Sequence, residues 1–88
     1  MRSTPLLIEA RPLEGYSVHV RFEDGVMADV DLSYLAERGG VFEPLKDLSF
    51  FRQLRADPEG GTIVWPNDAD IAPETLYVHA KRHAAATA

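Results

Sequence analysis

The chain has 88 residues, 14 acids against 9 bases for a formal charge of −5, 45% apolar residues and no cysteine. A chain this short forms a single domain that buries about 60–65% of its extended surface, too little to enclose a deep catalytic cavity of its own. The absence of cysteine excludes disulfides, thiolate nucleophiles and the usual structural zinc frameworks, and acid spread along the whole length leaves no basic stripe for nucleic acid.

The ordered core is expected over about residues 5–83, with Met1–Thr4 and Ala84–Ala88 as fraying ends. No apolar run approaches the roughly 20 residues that span a bilayer, and no secretory signal follows Met1, so a cytoplasmic location is the default expectation.

The first third reads as a three-stranded meander. Tyr16, Val18, Val20 and Phe22 alternate with Ser17, His19 and Arg21, and Val26, Ala28, Val30 and Leu32 alternate with Met27, Asp29 and Asp31. Such alternation marks strands with one buried face. A three-residue loop, Glu23-Asp24-Gly25, pairs Phe22 with Val26, Val20 with Ala28 and Val18 with Val30. A two-residue loop would set every apolar residue against the acids of the other strand. The third loop position takes the left-handed conformation that suits Gly25. By the same rule a Leu13-Glu14-Gly15 loop aligns Pro12, Ala10, Ile8 and Leu6 with Tyr16, Val18, Val20 and Phe22. Pro12 cannot donate to a ladder and marks an edge strand.

The middle of the chain is helical in short pieces. Asp31 or Ser33 can cap a helix over Tyr34–Arg38, which Gly39-Gly40 stops. Asp47 can cap a second helix in which Leu48, Phe51 and Leu54 form an apolar stripe flanked by Phe50. Asp57–Gly61 reads as a turn and Thr62–Trp65 as a fourth strand ended by Pro66. Asn67–Asp70 is a polar loop, and Pro73 opens a last helix toward Arg82 with Leu76, Tyr77 and Ala80 facing inward. The order β-β-β-α-α-β-α predicts an α+β domain, a largely antiparallel sheet with its helices on one face.

Few constellations carry chemistry. His19 falls opposite Asp29 on the face turned from the core, a pair that can orient a general base but has no nucleophile beside it. An exposed cross-strand pair is the preferred reading, since nothing completes a catalytic arrangement. His79 and His83 stand four apart on one helix face, but Ala80-Lys81-Arg82 between them replaces the glutamate of a zinc-protease helix and adds two cations. Asn67-Asp68-Ala69-Asp70 offers alternating oxygens without the glycine and terminal glutamate of a calcium loop. Gly39-Gly40 and Gly60-Gly61 fit no phosphate-binding motif. No metal, cofactor or catalytic set is therefore assigned. Trp65 fits either a core strand or the aromatic centre of a binding surface made with Pro66, Asn67, Asp68 and Asp70.

The stretches Val20–Gly25, Val30-Asp31-Leu32, Gly40–Leu45 and Asp47–Phe51, followed by Gly61–Ile71 and Leu76-Tyr77, resemble a family of small bacterial proteins, the domain-of-unknown-function 2442 family. The resemblance spans roughly residues 6–80, and Trp65-Pro66-Asn67 before an acidic loop is its most specific part. This chain has Asp68 where glycine is expected in many relatives. The resemblance implies a small α+β domain, found alone or joined to a helix-turn-helix domain. Some members look like halves of two-gene cassettes beside a small toxin-like protein, which suggests an antitoxin or regulatory role. It implies no catalytic residues.

The expected function is a non-enzymatic protein-interaction module. Its contact is placed on Trp65, Pro66, Asn67, Asp68 and Asp70 or along an exposed strand edge, and its acidity suits a basic partner. Direct DNA binding is not expected of a −5 domain with no room for a helix-turn-helix after residue 83. The alternative is a small-molecule-binding or enzymatic subunit of a homo-oligomer, using the face of His19, Asp29 and Asp31.

Overall fold

A computed structural model describes residues 4–87 of the chain, with side chains as far as residue 83. Expectations for residues 1–3 and 88 lie outside the described residues. Strands β1 (Leu7–Pro12), β2 (Ser17–Phe22) and β3 (Met27–Asp31) form an antiparallel sheet in the order β1-β2-β3. Between β2 and β3 the expected register holds, with Val18 opposite Val30, Val20 opposite Ala28 and His19 opposite Asp29. The turn is also as read: Phe22 N–H donates to Val26 O at 2.8 Å, and Gly25 has φ +95°. Val18, Val20, Phe22, Ala28 and Val30 consequently share one buried face.

The pairing of β1 differs from the expectation. Pro12 faces Val18 and Ala10 faces Val20, two residues away from the anticipated register, and a bulge between Leu7 and Glu9 then sets Leu7 against Phe22. The loop closes one residue later than expected, through Leu13 N–H to Ser17 O at 2.8 Å. Tyr16 is thereby released from the strand. Its hydroxyl donates to Leu45 O at 2.8 Å and its ring meets Phe51 edge-on at 4.7 Å. The bulge also exchanges faces, burying Leu7 and leaving Ile8 49% exposed.

Helix α1 (Ser33–Ala36) is a single turn, shorter than the one expected over Tyr34–Arg38. Its N-cap is Leu32, with neither Asp31 nor Ser33 capping it, and Asp31 Oδ1 instead accepts from Ser33 N–H at 2.9 Å in a turn ahead of it. A 3-10 helix over Gly40–Lys46 follows, where no helix was expected. Asp47 accepts from Ser49 N–H and caps α2 (Leu48–Phe51), as anticipated. The expected stripe is only partly realised: Phe51 and Leu54 are buried, whereas Leu48 is exposed. One turn of helix cannot align three residues spaced over seven positions, and Leu54 lies beyond its end.

The expected fourth strand proves to be half of a second sheet. A further strand, β4 (Arg55–Asp57), pairs antiparallel with β5 (Thr62–Val64). Arg55-Ala56-Asp57 carries no strand signature of its own and is recruited by its partner. The second sheet joins the first through Leu7 N–H to Gly61 O at 3.2 Å. Gly61 makes this approach possible: its φ is +70°, and an added Cβ would lie 2.5 Å from Leu6 Cδ2.

Helix α3 (Pro73–Thr87) packs against β3, burying Leu76 and Ala80. It extends past Arg82, so residues 84–87, expected to fray, continue the helix; three of them are alanine, the best helix former. Tyr77 joins it to the β2–β3 turn, its ring edge-on to Phe22 at 5.1 Å and its hydroxyl donating to Asp24. The core between these elements centres on Phe22, Phe51, Trp65, Leu35 and Leu45, all 2% exposed or less.

Candidate functional site

The Trp65–Asp70 loop is built around a three-residue turn like that at Glu23–Gly25. Trp65 N–H donates to Ala69 O and Asp68 N–H to Trp65 O, both at 2.9 Å. Pro66 presets the first turn position, and Asp68 closes it with φ +70°, where glycine would sit without strain. Asn67 fixes the loop from both sides, its Oδ1 accepting from Ala69 N–H at 3.2 Å and its Nδ2 donating to Val41 O at 3.0 Å. Asp70 forms a bridge with Val64 and leaves its side chain in solvent.

Trp65 does not share this surface. Its ring is 1% exposed, lies 5.8 Å from Phe51 and donates through Nε1 to Phe51 O at 2.9 Å. The core reading of Trp65 holds, and its placement in a binding surface is corrected: an indole with its polar atom satisfied inside the core is out of a partner's reach. Pro66, Asn67, Asp68 and Asp70 remain exposed.

On the outer face of the first sheet, His19 Nδ1 and Asp29 Oδ1 lie 2.8 Å apart, as the register required. Arg21 turns the other way and donates from Nε to Glu9 Oε1 at 3.1 Å. Glu9 is held ionised below the usual carboxylate range by this hydrogen bond first, and then by the charges of Arg21 and Arg11. Asp31 is not drawn into the pair. Its carboxylate is spent on Ser33, whose N–H and hydroxyl lower its pKa, with smaller help from His79 and His83. Three residues expected on one polar face thus form one hydrogen-bonded pair and one side-chain turn ahead of α1, whose N-cap is Leu32.

The outer edge of β3 gathers the features that sequence placed only loosely. β3 ends the sheet order, with no further strand beside it among the described residues. Phe22 N–H to Val26 O and Leu32 N–H to Tyr16 O fix the alternation of the ladder. Residues 28 and 30 therefore bond to β2, and the N–H groups of Met27, Asp29 and Asp31 point away from it. Among the described residues these three donors meet no acceptor. Met27, Asp29 and Asp31 are all exposed, so the edge displays two carboxylates beside three open donors.

Two of the grooves on the surface of the described residues are shallow and broad. One of about 490 Å3 runs between α1 and α3, lined by Tyr34, Thr75, Val78, His79 and Arg82 among others. Burial, with the charges of His83 and Arg82, holds the His79 imidazole below its ordinary pKa, and Asp31 opposes them. No local pattern signals this groove, because Tyr34 and α3 lie some 40 residues apart in the chain. The other, about 430 Å3, lies at the sheet junction against Leu6, Ile8 and Pro58. The rings of His79 and His83 lie 5.0 Å apart, and among the described residues no three or more His, Cys, Asp or Glu gather as metal ligands. Among these residues, too, no helix is long and apolar enough to cross a membrane.

The profile of a protein family of unknown function, DUF2442, matches residues 7–82. The chain belongs to the DUF2442 family. Its matched region takes in both sheets, the Trp65–Asp70 loop and most of α3. Comparison with curated proteins and with solved structures finds no match.

Proposed function

We propose that this DUF2442 chain is a protein-interaction module of a regulatory, antitoxin-like kind, acting without catalysis on a basic, toxin-like protein in the bacterial cytoplasm. The observation that carries this reading is the outer edge of β3, where Asp29 and Asp31 flank backbone donors with no acceptor among the described residues. A strand edge of this kind offers main-chain hydrogen bonds, and its carboxylates favour encounter with a positively charged surface. The exposed Pro66, Asn67, Asp68 and Asp70 offer a second acidic contact held rigidly by Asn67. The His19–Asp29 pair serves here as a cross-strand contact on an open face rather than as a base.

The test is co-expression of the chain with the product of its neighbouring gene, followed by affinity capture and sizing. The expected result is a stoichiometric complex at micromolar concentration that weakens as salt is raised. No complex with that product at micromolar concentration would sink the proposal.

A further inference from the structure

We infer that the partner docks by adding an extended strand to the outer edge of β3, and that this strand carries lysine or arginine at alternate positions. The inference rests on the protein-partner reading above and specifies how the partner binds. The N–H groups of Met27, Asp29 and Asp31 repeat every second residue along one edge, the spacing that an incoming strand satisfies. The side chains of the same three residues stand on the exposed face of the sheet. An added strand therefore sets every second side chain of its own beside Met27, Asp29 and Asp31. Lysine or arginine there meets two carboxylates, and an apolar residue meets Met27.

A second copy of this chain is a poor occupant of the edge. Antiparallel pairing of β3 with itself centred on Asp29 brings the two Asp29 carboxylates face to face. It also sets each Asp31 beside them, across from Met27 of the other copy. Like charges directly opposite one another oppose the pairing. In that register the edge disfavours its own copy, whereas its two carboxylates suit a strand of opposite charge.

The test uses the full chain, 15N-labelled, with a seven-residue peptide of alternating lysine and valine as the probe and its glutamate counterpart as the control. Amide shifts and hydrogen exchange are recorded with and without peptide. The expected result is perturbation centred on Met27, Asp29 and Asp31, with exchange of their amides slowed by at least about tenfold, and no response to the glutamate peptide. Asp29→Pro removes one outward donor, together with the Asp29 carboxylate and its bond to His19, while leaving the backbone ladder to β2 intact, and should abolish binding. Asp29→Asn with Asp31→Asn keeps every donor and should weaken binding. Perturbation confined to the α1–α3 groove, or unchanged binding by folded Asp29→Pro, overturns the inference. If Asp29→Pro does not fold, the exchange map of the unsubstituted chain decides alone. A complex with the neighbouring gene product in which the β3 amides exchange as in the free chain refutes edge docking while leaving the partner reading intact. Failure of that product to bind refutes the partner reading, and the peptide map still decides the edge.

Discussion

Asp68 is the one described residue other than glycine with a positive φ, at +70°. It closes the same kind of turn that Gly25 closes between β2 and β3. A left-handed conformation costs a side-chain-bearing residue about 1 kcal/mol, somewhat less for Asp, whose short polar group tolerates it. Asp68→Gly should therefore raise the midpoint of thermal unfolding by a few degrees, while Asp68→Val should lower it. Trp65 gives the opposite case, a residue whose removal the core cannot absorb. Trp65→Phe deletes the Nε1–H bond to Phe51 O, which keeps the Leu54 N–H at 3.2 Å, and removes part of a fully buried ring, at a cost of about 1–3 kcal/mol in urea unfolding. Sequence could not decide where Trp65 points, since a tryptophan ahead of a Pro-Asn turn fits the end of a buried strand as well as a surface loop.

At the scale of elements, legibility followed the regularity of the pattern. β2 and β3 alternate cleanly, so a single turn length put apolar residues on one face and the His19–Asp29 pair came out correctly. β1 is entered through Leu6-Leu7-Ile8, three apolar residues in a row, which leaves its inward face undetermined and hides the bulge. β4 was invisible because Arg55-Ala56-Asp57 becomes a strand only by pairing with Thr62–Val64. The open edge of β3 could not be read either, since it depends on no later strand arriving beside it. The junction of the two sheets rests on Gly61, so Gly61→Ala should destabilise by about 1–3 kcal/mol, through both its positive φ and the clash with Leu6. Denaturant midpoints of the variant and the parent check this.

For the molecule as a whole, acid weakens the fold in two stages. The folded pKa of His79 lies below its ordinary 6.5, so the unfolded chain binds the proton more tightly; the stability this group supplies is complete above 6.5 and is lost as pH falls through its folded pKa. The carboxylates of Glu9, Asp24 and Asp31 are likewise lowered, by Arg21, by the Tyr77 hydroxyl and by Ser33 in turn, so their contribution is present above their ordinary values near 4 and disappears below them. Unfolding free energy against pH should show both steps, and His79→Gln should remove the upper one while keeping the lower. A curve flat from pH 7 to 5 in the parent chain would contradict this assignment.

The −5 charge acquires a location in the structure, because Asp29 and Asp31 stand on a strand edge whose outward donors are open. The most direct measurement is a calorimetric titration of the chain with its neighbouring gene product, repeated with the Asp29→Asn/Asp31→Asn variant. The expected result is micromolar or tighter binding by the parent, weakened about tenfold by the two substitutions and reduced further by salt. Equal affinity of the two proteins, or no binding by the parent, would contradict the role assigned to that edge.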